Sequence, residues 1–598
     1  MAKEASARIL INELLQRSGW RFFDDENGPA NISLEANVKI KKKILDDLGE
    51  DFEKTAHGFI DYLLLDERGF PVAVLEAKSK KFDPLVGKEQ ARQYAQSQNV
   101  RFVLLSNGCL HYFWDIEHGN PVLITEYPRP ESFDHFHAFK PNPAALVGEK
   151  FEKDYVALTQ NPYFRDDPRW DDADEGKQSA FIAETGLKFL RPYQLRALTA
   201  LQTAVKNDQT RFLFEMATGT GKTLTAAAVI KLFLRTGNAK RILFLVDRLE
   251  LETQAWKAFV RLLKNDFLTV IYKENRDDWR KAEIVVSTVQ SLQFNNKYRR
   301  LFSPTDFDLL ISDEAHRSIG GNSRAVFEYF IGYKLGLTAT PKDYLKRVDP
   351  TEARGRDPRA WERRQLLDTY KTFGCESSAP TFRYSLIDGV SEGFLLNPVV
   401  VDARTDITTE LLADKGYAVM KENEDGELVE QSFFGKDFEK KFFSDETNRV
   451  FCETFMKCAL RDPLSMEVGK TIIFCVRQDH ATRIAQTLNE IAHGLFPGKY
   501  QSDFAVQVSS NIQDAQQMAM SFANNNLSGH TRFLDGYISS KTRVCVTVGM
   551  MTTGYDCEDL LNIVMLRPIF SPTDFIQIKG RGTRKFMFRY AAKENGQV

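Results

Sequence analysis

The chain has 598 residues, 43% of them hydrophobic and 27% charged, with a formal net charge of −2. A chain this long cannot be organised around one hydrophobic core and implies roughly three or four domains. The near-neutral balance excludes a globally basic nucleic-acid binder, so any such site must be a local groove.

Cys109, Cys375, Cys452, Cys458, Cys475, Cys545 and Cys557 form no C-x-x-C pair and no Cys/His cluster at zinc spacing. They read as buried free thiols of a reducing cytoplasm. The N-terminal stretch MAKEASARILINELLQ carries charges throughout and has no signal-peptide core. No run approaches the roughly 18 apolar residues of a membrane span, so no membrane is expected.

Residues 5–17 predict a helix whose apolar face is Ile9, Leu10, Ile11, Leu14 and Leu15. The lysines at 39, 41, 42 and 43 then read as a solvated run, with phosphate contact the alternative. From His57 to Lys81, two apolar runs flank Asp66-Glu67-Arg68-Gly69 and predict a hairpin. With that four-residue turn, Asp61 lies opposite Val74, and Glu76 and Lys78 alternate onto the same sheet face. Asp61 and Glu76 are then diagonal neighbours, roughly 7–8 Å apart at the backbone. Two such carboxylates can share a divalent cation, and Lys78 can orient a water or stabilise charge on a phosphate. A plain salt-bridged surface hairpin is the competing reading.

Asp83-Pro84 supplies an N-cap with Pro at the first helical position. The following helix, to about Ser97, puts Gln90 and Tyr94 on one face. Phe102–Ser106 and Leu110–Trp114 predict a second hairpin around Asn107-Gly108. The pattern D…E-x-K with a trailing Q-x-x-x-Y resembles the PD-(D/E)xK nucleases, in the form carried by type I restriction subunits. The resemblance implies catalytic roles for Asp61, Glu76 and Lys78, metal binding by the two carboxylates, and accessory roles for Gln90 and Tyr94. From 141 to 186 the chain turns Pro-rich and acidic and reads as a linker, with one helix around Ala144–Leu158. Its segment NPYFRDDPRW could brace neighbouring domains.

Leu190-Arg191-Pro192-Tyr193-Gln194 precedes a helix over Leu195–Lys206, and Gln194 is placed to read adenine. Then comes FLFEMATGTGKTLTAAAVIK, from Phe212 to Lys231: a strand, a glycine-rich turn and a helix start. Backbone N–H groups of Thr218, Gly219, Thr220 and Gly221 can cradle phosphates at a helix N-terminus. Lys222 can reach the β/γ-phosphates and Thr223 can hold Mg²⁺. The strict phosphate-loop pattern would have Gly where this chain has Met216. Strands at Arg241–Val246, Ile284–Ser287, Leu309–Ser312 and Tyr333–Thr338 alternate with helices and imply a parallel sheet. Asp313-Glu314-Ala315-His316 ends one of them: Asp313 is placed for Mg²⁺, beside the phosphate loop, and Glu314 for the attacking water.

In order, 217–223, Val246-Asp247-Arg248, Ser287-Thr288-Val289-Gln290, 313–316 and Leu337-Thr338-Ala339-Thr340-Pro341 resemble motifs of superfamily 2 helicases. The Arg-rich stretch 343–367 reads as a connecting loop with possible DNA-backbone contact. A second α/β pattern starts near Val399, with a strand at Thr471–Cys475, a helix from Gln478 to about Ile491 and a strand at Val544–Val548. Thr552-Thr553-Gly554-Tyr555-Asp556 resembles motif V, giving Gly554 and Asp556 to the nucleotide site. Gln577–Arg584 resembles motif VI, making Arg581 or Arg584 an arginine finger, Arg584 preferred.

The whole resembles the restriction (R) subunit of type I restriction–modification enzymes. The expected fold is α/β: a restriction-endonuclease-like α/β domain over 1–140, a linker over 141–186, then RecA-like parallel-sheet motor domains over 187–390 and 391–598. The resemblance implies ATP- and Mg²⁺-dependent translocation on double-stranded DNA, with cleavage remote from the recognition site. Implied partners are the modification (methyltransferase) and specificity subunits, the former holding any S-adenosylmethionine. Family members continue beyond motif VI, so a fragment or shortened member is expected here. The alternatives are a stand-alone repair helicase–nuclease, a type III restriction subunit, whose nuclease follows its motor, and a nucleotide-gated DNA-binding protein with a dead nuclease.

Overall fold

The computed structural model describes residues 2–26, 28–39, 57–124, 126–130, 132–133, 141–273, 276–302, 304–318, 321–346, 367–401, 420–422, 428–430, 445–509, 512–531, 534, 536–551, 555–567 and 572–589. Contacts divide the chain into two units: Met1–Glu215 with Lys222–Arg383, and Tyr384–Val598 with the short segment Met216–Gly221. Lys41, Lys42 and Lys43, most of the Arg-rich stretch and Gly554 lie outside the described residues.

In the first unit, six strands follow one another across a sheet: β1 (Ile32–Lys39), β2 (His57–Leu65), β3 (Pro71–Ala77), β4 (Phe102–Ser106), β5 (His111–Asp115) and β6 (His118–Ile124). All neighbours are antiparallel except β3 and β4. A parallel pair needs a crossover, and here it is Pro84–Gly87 followed by helix α2 (Lys88–Ser97). Asp83 caps it as expected, its carboxylate accepting from Leu85 N–H.

Val72 to Ala77 is buried throughout because both faces of β3 are covered. Helix α1 (Ala2–Arg17) contributes Ile11 and Leu15 to the core holding Ala73 and Leu75. On the other face, α2 packs Ala91, Tyr94 and Ala95 into the core that holds Val74. Ile9, expected on the apolar face of α1, is 60% exposed instead. The β4–β5 hairpin forms as predicted, with Asn107 Oδ1 accepting from Cys109 and Leu110 N–H and Gly108 at φ +83°.

The β2–β3 register differs from the expected one. Leu63 lies opposite Val74 and Tyr62 opposite Leu75, after an irregularity between Leu64 and Leu65. The turn closes on Asp66 and Phe70 rather than on Leu65 and Phe70, and the irregularity adds a second one-residue step. Two steps preserve the face, since side chains alternate with period two.

In the stretch 141–186, the single helix expected around Ala144–Leu158 is instead two short ones, Pro143–Gly148 and Ala157–Gln160, and Glu175–Thr185 forms a third. Phe164, Trp170, Phe181 and Leu187 bury themselves in a small core of their own. Of the seven free cysteines, Cys109 and Cys458 are exposed, against expectation, and Cys375 is half-buried.

The second sheet of this unit contains β7 (Arg211–Met216), β8 (Ile242–Val246), β9 (Thr269–Ile271), β10 (Ile284–Thr288), β11 (Leu309–Asp313), β12 (Tyr333–Thr338) and β13 (Phe382–Tyr384). Its order is β13-β7-β12-β11-β8-β10-β9, with β7 to β12 parallel. Nearly every residue of these parallel strands is buried, as a sheet covered on both faces requires.

In the second unit, β14 (Met420–Glu422) and β15 (Leu428–Glu430) pair antiparallel. A four-stranded parallel sheet follows, in the order β17 (Ala505–Gln507), β18 (Val544–Thr547), β16 (Thr471–Cys475), β19 (Asn562–Leu566). Helix Gln478–Leu495 buries Ala481, Ile484, Ala485 and Leu488 against it. The architecture is α/β, with a mostly antiparallel six-stranded sheet ahead of two RecA-like parallel sheets. No described helix is long and apolar enough to cross a membrane.

Candidate active sites

The last registered pair of the two strands is Tyr62 opposite Leu75, so Asp61 and Glu76 follow it on neighbouring strands, and the Asp61 charge acts on Glu76. Asp61 Oδ2 accepts from Ala77 N–H at 2.7 Å, and its Oδ1 accepts from Arg8 Nη2 at 2.5 Å. Lys78 Nζ donates to Glu76 Oε1 at 2.9 Å and to Gln90 Oε1 at 3.0 Å. Gln90 Nε2 in turn donates to Tyr94 Oη at 3.0 Å. Glu76, Lys78, Gln90 and Tyr94 therefore form one hydrogen-bonded chain from β3 to α2, uniting residues that sequence spacing only grouped.

Glu76 is 3% exposed, and its Oε2 is buried with no hydrogen-bond partner. Burial, reinforced by the Asp61 charge, pushes its carboxyl up to about 7. A buried carboxylate with an unused oxygen beside a second carboxylate is a donor set that fits a divalent cation. Among the described residues no three His, Cys, Asp or Glu side chains gather into a metal cluster. The protein would thus supply two carboxylates and leave other positions to water or a phosphate.

Sequence reasoning missed two residues here. Gly87 has a conventional φ, but a Cβ on it would stand 2.7 Å from Lys78 Cε and 3.2 Å from Glu76 Cγ. Its signal is faint: a glycine four residues past the Asp83 cap. Arg8 comes from α1, and nothing in the D…E-x-K spacing announces it.

In the motor, the loop after β7 turns through Gly219 (φ +84°) and Gly221 (φ +75°), a region open to glycine at little cost. Helix Lys222–Arg235 begins immediately, so the loop's N–H groups lie at a helix N-terminus as expected. Thr220 is fully buried and its hydroxyl donates to Ala217 O at 2.6 Å, closing the loop. Its side chain thus serves the loop itself, while Thr223 is exposed. Gln194 Oε1 accepts from Arg191 N–H at 2.9 Å, capping helix Pro192–Lys206.

Asp313 ends β11, and β12 separates it from β7. Strand β11 is thus two strand spacings from β7, about 9–10 Å. Asp313 Oδ1 accepts from Glu314 N–H at 3.1 Å, and Glu314 adopts φ +47°, a strained conformation costing on the order of 1 kcal/mol or more. His316 Nδ1 bonds Thr338 Oγ1 at 2.8 Å, joining 313–316 to the end of β12. Arg317 pairs with Asp247 at 3.0 Å, which joins it to the end of β8. All these groups sit at carboxyl ends of parallel strands, where open α/β sheets bind ligands.

Within the second unit, the segment Met216–Gly221 meets Gln577–Arg584: a Cβ on Gly580 would stand 2.6 Å from Thr218 Cβ, and one on Gly219 would stand 3.3 Å from Arg584 Cγ. Arg581 is buried and donates to Tyr555 O at 2.5 Å. Arg584 pairs with Asp556, and burial lowers its guanidinium to about 10. Arg581 is spent on backbone, which leaves Arg584 as the better finger candidate and ties Asp556 to it.

A family model described as the res subunit of type III restriction enzymes matches residues 188–343. The EcoAI endonuclease subunit of a type I restriction enzyme from Escherichia coli is 30% identical over 548 residues, covering 88% of this chain and 57% of that protein. The EcoKI endonuclease subunit from Escherichia coli K12 is 26% identical over 643 residues, 97% of this chain and 50% of its own length. The chain thus spans about half the length of either relative. A solved fragment of a chain proposed to be an HsdR subunit, from Vibrio vulnificus YJ016, is 25% identical and covers 97% of this chain and 90% of its own, at a TM-score of 0.43. Over most of its length, then, the chain resembles the endonuclease subunits of type I restriction enzymes, and its residues 188–343 match the res-subunit family model.

Proposed function

We propose that the chain is an ATP-dependent translocase on double-stranded DNA and a Mg²⁺-dependent endonuclease, the motor and cleavage subunit of a type I restriction–modification complex. The observation that carries this reading is the Glu76–Lys78–Gln90–Tyr94 chain with the Asp61 carboxylate beside it, encoded ahead of the phosphate loop in one polypeptide. That order also sets it apart from a type III subunit. The formed Glu76–Lys78 contact argues against a dead nuclease.

In the cleavage centre, Asp61 and Glu76 would hold the metal, which when bound lowers the pKa of its water and polarises the phosphodiester. Lys78, fixed by Gln90 and Tyr94, would stabilise charge developing on the phosphate. In the motor, Lys222 would bind the β/γ-phosphates of ATP, and Thr223 and Asp313 its Mg²⁺. Glu314 would position the attacking water, and Arg584 would stabilise the transferring phosphoryl group. Cleavage is assigned to 1–140 and the motor to 187–390 and 391–598. Modification and specificity subunits, by analogy with the relatives, would complete a cytoplasmic complex.

The test separates the two centres. Asp61→Ala in the assembled enzyme should abolish plasmid cutting while DNA-stimulated ATP hydrolysis continues near the parental rate. Lys222→Ala should lose both, because remote cleavage requires translocation. Cutting by Asp61→Ala would end the nuclease assignment, and full cutting by Lys222→Ala would end the coupling.

A further inference from the structure

Helix α1 is fixed on the nuclease sheet. Ala7, Ile11 and Leu15 are fully buried, and Tyr62 Oη of β2 donates to Asn12 Oδ1 at 2.8 Å. That anchorage delivers Arg8 to Asp61, where Nη2 meets Oδ1 at 2.5 Å. Lys78 does the same to Glu76. Each carboxyl group thus faces a cationic side chain. Lys78 belongs to the reacting constellation and is also held by Gln90. Arg8 belongs to neither strand of the centre and has the more exposed side chain, 34% against 24% for Lys78.

We propose that Arg8 is a positioning residue that competes with the divalent metal for Asp61 and must leave that carboxylate for the centre to load. The inference rests on the nuclease reading above. A guanidinium on Oδ1 occupies the lone pairs that a cation needs and repels a dication electrostatically. Asp61 Oδ2 is already accepting from Ala77 N–H, so the geometry leaves Oδ1 as the contested atom. Glu76 Oε2, which no protein group uses, is where the metal gains its first hold.

The experiment is calorimetric titration of the full chain with Mn²⁺, without nucleotide, on the parent, Arg8→Ala, Arg8→Gln, Arg8→Lys, Asp61→Ala and Glu76→Ala. Arg8→Ala and Arg8→Gln should bind at least about tenfold tighter at this site, whereas Arg8→Lys, which keeps the charge, should stay within about threefold of the parent. A merely structural role for Arg8 would weaken binding or leave it unchanged. Either of those results in both neutral variants, with Asp61→Ala and Glu76→Ala losing binding, overturns the competition and spares the nuclease reading. Parental binding by Asp61→Ala and Glu76→Ala overturns both.

Discussion

Gly87 governs how closely α2's leading turn can approach Lys78. Any side chain there meets Lys78 Cε before it meets solvent. Gly87→Ala should leave the fold intact, because φ is ordinary and the obstructing atom is near the end of a flexible side chain. It should instead swing Lys78 off Glu76 and Gln90. Misplacement of a reacting group by about 1 Å can cost on the order of a hundredfold in rate. Plasmid cutting should therefore fall by ten- to a hundredfold, with ATP hydrolysis unchanged. Parental cutting by this variant would show that Lys78 need not stand where it does. A second single-residue test concerns Glu314. Glu314→Gln removes the carboxylate but leaves Lys222, Thr223 and Asp313 in place. It should retain ATP binding, read by fluorescent-nucleotide titration, while turnover falls at least about a hundredfold. Equal hydrolysis by mutant and parent would remove Glu314 from the reaction.

At the scale of elements, the strands β7, β8, β10, β11 and β12 and their carboxyl ends were readable because each is a short apolar run ending in polar residues. The β4–β5 hairpin was readable from Asn107-Gly108. The β2–β3 register was not, because its irregularity depends on how Pro71 and Phe70 close the turn, and no local pattern encodes that. Arg8 was equally invisible: its partner lies 53 residues away. The least legible feature is a buried charge cluster at the starts of β7 and β12. Arg211 grips Glu328 through both nitrogens, at 2.9 and 2.6 Å, while Lys334 joins Glu328 at 2.9 Å. Arg211 also donates to Leu123 O in β6 and to Thr372 O, each at 2.7 Å, so it fastens the nuclease sheet to the motor sheet. Five residues from scattered positions leave no spacing to read. Glu328→Ala would strand Arg211, Arg324 and Lys334 in the interior without their common anion. Breaking such a cluster costs roughly 3–5 kcal/mol. Thermal unfolding should show that loss, with limited proteolysis opening the β6–β7 junction first. A melting temperature within a degree of the parent would mean the cluster does not carry this junction.

Across the whole molecule, stability should respond to acid through three buried histidines set in different sheets' surroundings. His111 bonds Ser106 Oγ in the six-stranded sheet, His316 bonds Thr338 in the seven-stranded sheet, and His480 bonds Asn448 in the second unit. Burial holds each imidazole down at about 4, against an ordinary value of 6.5. The sign follows directly. Between pH 6.5 and about 4 the unfolded chain binds these protons and the folded chain does not. The stabilisation is therefore complete above pH 6.5 and is lost as pH falls toward 4. Each shift corresponds to roughly 3 kcal/mol at the bottom of that window. In the six-stranded sheet Glu76, raised to about 7, binds a proton in the folded state within the same window and offsets His111, so the acid loss should fall on the surroundings of His316 and His480. Calorimetric unfolding should move the transitions of those two regions downward from pH 6.5 to 5. His316→Gln, which keeps a polar partner for Thr338 but has no proton to gain, should flatten only its share of that slope. Transitions that stay level down to pH 5, or a His316→Gln slope equal to the parent's, would show that these imidazoles are not held neutral by the fold.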